Sequence, residues 1–331
     1  MPQTLLALVA LLASVAAIVW GAETFAEHLT DASTRLGVST FALALLLAGA
    51  EPEELATSVT AALRGVPAIA YGDVIGTNVA MCTVALGLAA LIAPLPFGAR
   101  VRRYALLALP VGLVAVVLVW DGHLGRGEGA LLVGLYAAYV ALIWIAERQP
   151  PALGELSELD DHDDEPQAAA GSAGAAVPTR ARSRVGRDLL LVLTGLAAMA
   201  GGATVLVEAV RRISGIEETQ TKLGLTVVGF ATAFELVVLA VSAARRGMTE
   251  TVLASVVGSF AYNVTMTLGA GALARPLQVL AADQLHLPLL AMLGSLVAVL
   301  VLALPTGRLA RPAGALLLAA YPAFITLVLA S

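Results

Sequence analysis

Residues 49–65 read GAEPEELATSVTAALRG and lead at 72–78 into GDVIGTN; residues 230–247 read FATAFELVVLAVSAARRG and lead at 254–260 into ASVVGSF. The match is one of spacing as well as letters. Arg64 and Gly65 stand as far from Gly76 and Thr77 as Arg246 and Gly247 stand from Gly258 and Ser259. Each copy carries acid inside an apolar stretch. A carboxylate at mid-bilayer depth costs about 3 kcal/mol, so Glu51, Glu53, Glu54 and Glu235 point to an ion pathway.

Outward from these segments the chain is 59 % hydrophobic and 13 % charged, with a mean hydropathy of +0.89. That excludes a soluble domain with a polar surface. Apolar runs close to the ~20 residues that cross a bilayer recur at 5–25, 39–63, 69–93, 104–120, 130–145, 189–210, 223–244, 251–272, 287–304 and 313–330. In lipid the backbone must satisfy itself, so these runs should be helical except where they line a cavity. The expectation is an all-α polytopic membrane protein of about ten transmembrane helices. Residues 1–148 form a first five-helix repeat, 149–187 a flexible linker, and 188–331 a second five-helix repeat. Five is odd, so the second repeat enters the membrane from the opposite side and the repeats are inverted. In that architecture a substrate site lies near the midplane, on interrupted helices.

Basic residues set the orientation. Of the 19, Arg35, Arg100, Arg102, Arg103, Arg148, Arg180, Arg182, Arg184, Arg187, Arg245, Arg246, Arg308 and Arg311 fall on one side; Arg64, Arg126, Arg211, Arg212, Lys222 and Arg275 fall on the other. The richer side is read as cytoplasmic, which places both termini outside and the linker inside a bacterial-type plasma membrane. The N-terminal run lacks a basic start and belongs to the repeat, so it reads as a retained helix rather than a signal peptide. The single cysteine, Cys82, excludes an internal disulfide. The linker joins an acidic cluster (Asp160, Asp161, Asp163, Asp164, Glu165) to an arginine-rich end without EF-hand spacing, and reads as a tether. Four histidines fall at span ends or in loops with no partner at ligand spacing. Glu23 and Glu27 read as a solvated or cavity-facing helix end.

Within the first copy, Glu51 and Glu54 are three apart and share a helical face, with Ser58 one turn on, while Glu53 points about 100° from Glu54. Pro52 removes a backbone donor and loosens the turn before it. Carboxylates beside freed carbonyls make the oxygen cage that hard cations require. Asp73, Thr77 and Asn78 add oxygens on the next span, where Gly72 and Gly76 allow close helix approach. In the second copy, Glu235 lies near mid-span, and Ser259 and Asn263 form an i, i+4 polar pair.

Both segments resemble the alpha repeats of the sodium/calcium exchanger superfamily of cation antiporters, whose pattern is close to GTSLPEL, a basic-Gly turn, then GNxxGSNxxN. The first copy gives GAEPEEL and GDVIGTNVAM, the second FATAFEL and ASVVGSFAYN. The resemblance implies that Glu54 is the central ion-binding glutamate, that Thr77 and Ser259 are site hydroxyls, that Asn263 stands where the family has an acid or amide ligand, and that Glu51 replaces a site serine. Met81 replaces an amide and Asp73 an asparagine. Counted back from Gly247, the second central position falls on Leu236, with Glu235 one residue early. Either a helical bulge restores Glu235, or Glu51 supplies the missing charge. The metal set is Glu51, Glu54, Glu235, Asp73, Thr77, Ser259 and Asn263.

The resemblance implies a secondary antiporter that exchanges calcium for sodium or protons by alternating access. It needs the bilayer and inorganic cations, no bound cofactor, and neither nucleic acid nor an obligate protein partner. A proton-coupled antiporter for another cation, a channel, and a non-transporting scaffold with a degenerate site are the alternatives. No HExxH helix or nucleophile-base pair supports a hydrolase.

Overall fold

The computed structural model describes residues 2–36, 51–147 and 179–330. Residues 39–50 of the second predicted span and 149–178 of the linker, with its acidic cluster, lie outside the described residues. Among the described residues ten helices follow in order: α1 (Pro2–Leu36), α2 (Pro52–Leu63), α3 (Pro67–Ile92), α4 (Ala99–Val119), α5 (Arg126–Glu147), α6 (Thr179–Ile213), α7 (Glu217–Arg246), α8 (Thr249–Ala274), α9 (Asp283–Ala303) and α10 (Arg311–Ala330). Among the described residues, nine of these contain stretches long and apolar enough to cross a membrane; α2 is described over 12 residues. α6 starts at Thr179, so the last residues of the predicted linker are already helical.

The repeat is built into the backbone at a constant offset of 182 residues, from Gly65 to Gly247 and from Thr77 to Ser259. Gly65 and Gly247 both take positive φ, at 69° and 85°. A helix closes on such a left-handed residue cheaply only if it lacks a Cβ. The offset also relates π turns at Met81–Ala85 in α3 and Asn263–Thr267 in α8. Short extended segments complete the symmetry. Leu95–Pro96 pairs with Arg308–Leu309, and His123–Leu124 pairs with Leu277–Gln278. Each pair joins the segment after the third helix of one half to the segment after the fourth helix of the other. This is the exchange that an inverted twofold requires.

Burial separates centre from periphery. The most apolar windows of α3 and α8 are 83 % and 89 % buried, against 22–44 % for the other spans. α3 crosses α7, and α1 packs along α6. The α3–α7 crossing depends on glycine. A Cβ at Gly72 would stand 2.7 Å from Cα of Gly224, and one at Gly76 would overlap the Leu225 carbonyl. Small residues allow backbones to approach where apolar lipid offers no hydrophobic drive for association. At one end of the bundle Glu147 of α5 accepts from Tyr104 at 2.7 Å and pairs with Arg100 and Arg103 of α4.

Candidate cation site

α2 begins at Pro52, and Glu51 precedes it with a non-helical backbone (φ −118°, ψ 82°). Proline suits the first helical position, where its missing N–H would be unpaired in any case. Three carboxylates therefore gather at the positive end of α2, where the helix dipole favours negative charge. Sequence spacing puts Glu51 and Glu54 on one face and Glu53 off it. The structure differs because Glu51 lies outside the helix: oxygens from Glu51, Glu53 and Glu54 all fall within 4.8 Å of one another. All three are buried, Glu54 completely.

The opposing half supplies neutral hydroxyls and one amide. Ser259 of α8 donates its hydroxyl to Glu51 Oε1. Asn263, the first residue of the α8 π turn, stands beside Glu54 but off hydrogen-bond geometry, and its Nδ2 has no partner among the described residues. Thr267 donates to Asn263 Oδ1 at 3.2 Å, and Ser58 of α2 donates to the Thr267 carbonyl at 3.1 Å. π turns are common where helices bend around a functional site.

A second group of oxygens lies between α3 and α7. Thr232 donates to Asp73 Oδ1 at 3.0 Å and lies 2.9 Å from Thr77 Oγ1, which is also 3.1 Å from the Gly229 carbonyl. Asp73 is close enough to Glu54 for the two charges to interact, so the groups adjoin. Thr232 escapes a reading of the sequence although it lies inside the quoted second segment. At the repeat offset it matches Ala50, so the first copy gives no hydroxyl to pair with it. Thr232→Val is expected to weaken cation binding at these oxygens about tenfold, the ~1.5 kcal/mol of a hydrogen bond to a charged group; titration of the purified protein with cations checks it.

Glu235 is not one of the three clustered carboxylates. The helix runs as regular α from Gly229 to Arg246, and the π turn of α7 lies earlier, at Gly224–Val228. No bulge therefore shifts register between Glu235 and Gly247. Leu236 is the twofold mate of Glu54, and half-buried Glu235 is the mate of Glu53. Glu235 still acts electrostatically on Glu54.

Among the described residues, both oxygens of Glu54 and Oδ2 of Asp73 are buried without a hydrogen-bond partner. Arg100 and Arg103 pair with Glu147, Arg212 with Glu208 and Lys222 with Glu218, toward helix ends and not with these acids. A buried charge left unsatisfied is costly. Hard cations are the groups that all-oxygen donors of this kind accommodate.

Ten helices in two inverted repeats, with buried acids of one half facing hydroxyls and amides of the other, define a membrane transporter of the inverted-repeat class. The sodium/calcium exchanger protein family matches residues 6–145 and 188–330, and the chain belongs to that family. It is 25 % identical to the putative antiporter CaxA of Alkalimonas amylolytica over 93 % of this chain and 92 % of that one. It is 27 % identical to the sodium/calcium exchanger MaX1 of Methanosarcina acetivorans over 81 % and 83 %. Among solved structures it resembles the sodium-calcium exchanger NCX_Mj soaked with Na+ and Sr2+, with a TM-score of 0.59 and 21 % identity over 99 % of both chains. The last likeness is one of fold.

Proposed function

We propose that this chain exchanges calcium for sodium or protons by alternating access, with Glu51, Glu54, Asp73, Thr77, Ser259 and Asn263 as cargo ligands and Glu53 as a third carboxylate of the same cage. The observation that carries this reading is the meeting of three buried carboxylates with Ser259 and Asn263 across the repeat interface. Carboxylates offset the charge of a cation stripped of water, and hydroxyls and amides complete its coordination. Counter-ions compete for the same oxygens, so one species leaves as the other enters. The relatives named as an antiporter and as a sodium/calcium exchanger support the same activity.

The negative charge is one-sided. Leu236 and Met81 stand at twofold positions opposite Glu54 and Asn263. Glu51 and Glu53 supply from the first half what the second lacks. Glu235→Gln is therefore expected to slow calcium uptake about tenfold or less, the scale of a charge acting from outside the coordination shell through an effective dielectric near 20. Rates falling as far as in Glu54→Gln would place Glu235 among the ligands.

The basic-residue bias supports an orientation with both termini outside and the 149–187 linker cytoplasmic in a bacterial-type plasma membrane, with 1–148 and 188–331 as the repeats. Calcium uptake into proteoliposomes under imposed sodium or pH gradients tests the activity. Calcium accumulating along with dissipation of one gradient is the expected result. Folded protein that moves no cation under either gradient would overturn it.

A further inference from the structure

A cavity of about 710 Å³ opens between the N-terminal turns of α1 and the C-terminal turns of α6, with Arg64 at the C-terminus of α2 on its rim. Its wall has two natures. Leu6 and Ala10 of α1 and Val205 of α6 make an apolar side, and Leu6 and Val205 are 68 % and 45 % exposed. Arg64, Arg212 and Glu208 make the polar side, where Arg212 Nε meets Glu208 Oε1 at 3.1 Å. Arg64 has no carboxylate partner among the described residues.

Two guanidinium groups against one carboxylate leave the rim positive, which repels a cation and suits an anion. Guanidinium matches phosphate oxygens in a two-pronged geometry. The three helices end here, so the rim lies at headgroup depth and the apolar wall runs toward the hydrocarbon. Basic pockets between transmembrane helices bind anionic headgroups, best attested on the cytoplasmic side; the proposed orientation puts this one at the outer face, where the same guanidinium–phosphate pairing applies. The volume is also within the ~300–1,000 Å³ usual for ligand pockets.

We propose that this cavity is a binding site for an anionic phospholipid, with its phosphate on Arg64 and Arg212 and an acyl chain along Leu6, Ala10 and Val205. The site is separate from the acids at the N-terminus of α2 and does not depend on which ions the chain carries. Its occupant would tie the end of α2 to the α1–α6 pair.

Native mass spectrometry of the full chain, released from phosphatidylcholine bilayers containing phosphatidylglycerol, tests it. Retention of phosphatidylglycerol over phosphatidylcholine is expected, reduced at least fivefold by R64Q/R212Q and unchanged by Arg246→Gln, the twofold mate of Arg64 at the opposite end. Equal retention by R64Q/R212Q would overturn the assignment. Equal retention of phosphatidylcholine would reduce the cavity to an unselective lipid groove, and displacement by glycerol phosphate as readily as by intact lipid would make it a free-anion site; either result overturns it. If the double variant fails to fold, R64Q alone, at an exposed helix end, carries the same comparison.

Discussion

Glu54→Gln is expected to lower gradient-coupled calcium uptake at least 100-fold while the protein melts at or above the temperature of the unaltered chain. The side chain is fully buried, with neither oxygen hydrogen-bonded among the described residues. Removing one partner from a buried charge pair costs ~3–5 kcal/mol, and about 1.4 kcal/mol is a factor of ten. Glutamine keeps the shape and one oxygen but not the charge that balances a dehydrated divalent ion. The unliganded protein, in contrast, no longer buries a carboxylate among carboxylates. Loss of transport with retained stability is the signature of a cargo ligand. Undiminished uptake by Glu54→Gln would contradict that role, and a chain that moves nothing either way would fit a scaffold.

Gly76→Val is expected to have an equally large effect by another route. Its added carbons would meet the Leu225 carbonyl, and the adjoining Gly72 already lies against the backbone of Gly224. Overpacking of this kind costs ~3 kcal/mol when only side chains yield, and more against backbone. α3 and α7 would have to separate, carrying Asp73 and Thr77 away from Thr232. A melting temperature lower by about 10 °C, together with lost uptake, is the expected result in thermal denaturation and flux assays. A stable Gly76→Val protein with full activity would show that the close crossing is dispensable.

How much of this is legible in the sequence differs from residue to residue. Among the described residues, nine of the ten spans follow from hydropathy, because lipid leaves the backbone no alternative to helix. The inversion follows from an odd number of spans per half, and the crossed pairing of the short extended segments bears it out. Arg64-Gly65 and Arg246-Gly247 mark helix ends because only glycine takes that closing conformation easily. Helical spacing fails at Glu51 and Glu53, since it assumes the helix continues through Pro52. The π turns at Met81–Ala85 and Asn263–Thr267 carry no letter pattern of their own. Thr232 is hidden because one copy of the repeat has alanine at its position. Counting alone leaves the register of Glu235 open, and only the unbroken α-helix from Gly229 to Arg246 assigns Leu236 to the twofold position.

On the proposed function, a passing cation is what makes these buried carboxylates tolerable. Among the described residues Glu51, Glu53, Glu54 and Asp73 are buried rather than turned outward, so lipid headgroups and bulk water do not solvate them. The second half does not leave them alone either, since Ser259 and Asn263 reach the same cluster. Anomalous diffraction from crystals soaked in calcium would locate that cation. The expected result is a peak ~2.3–2.6 Å from oxygens of Glu54, of Glu51 or Glu53, and of at least one residue of α7 or α8. A peak bound elsewhere in the chain, or none at calcium concentrations that saturate uptake, would contradict the proposed function.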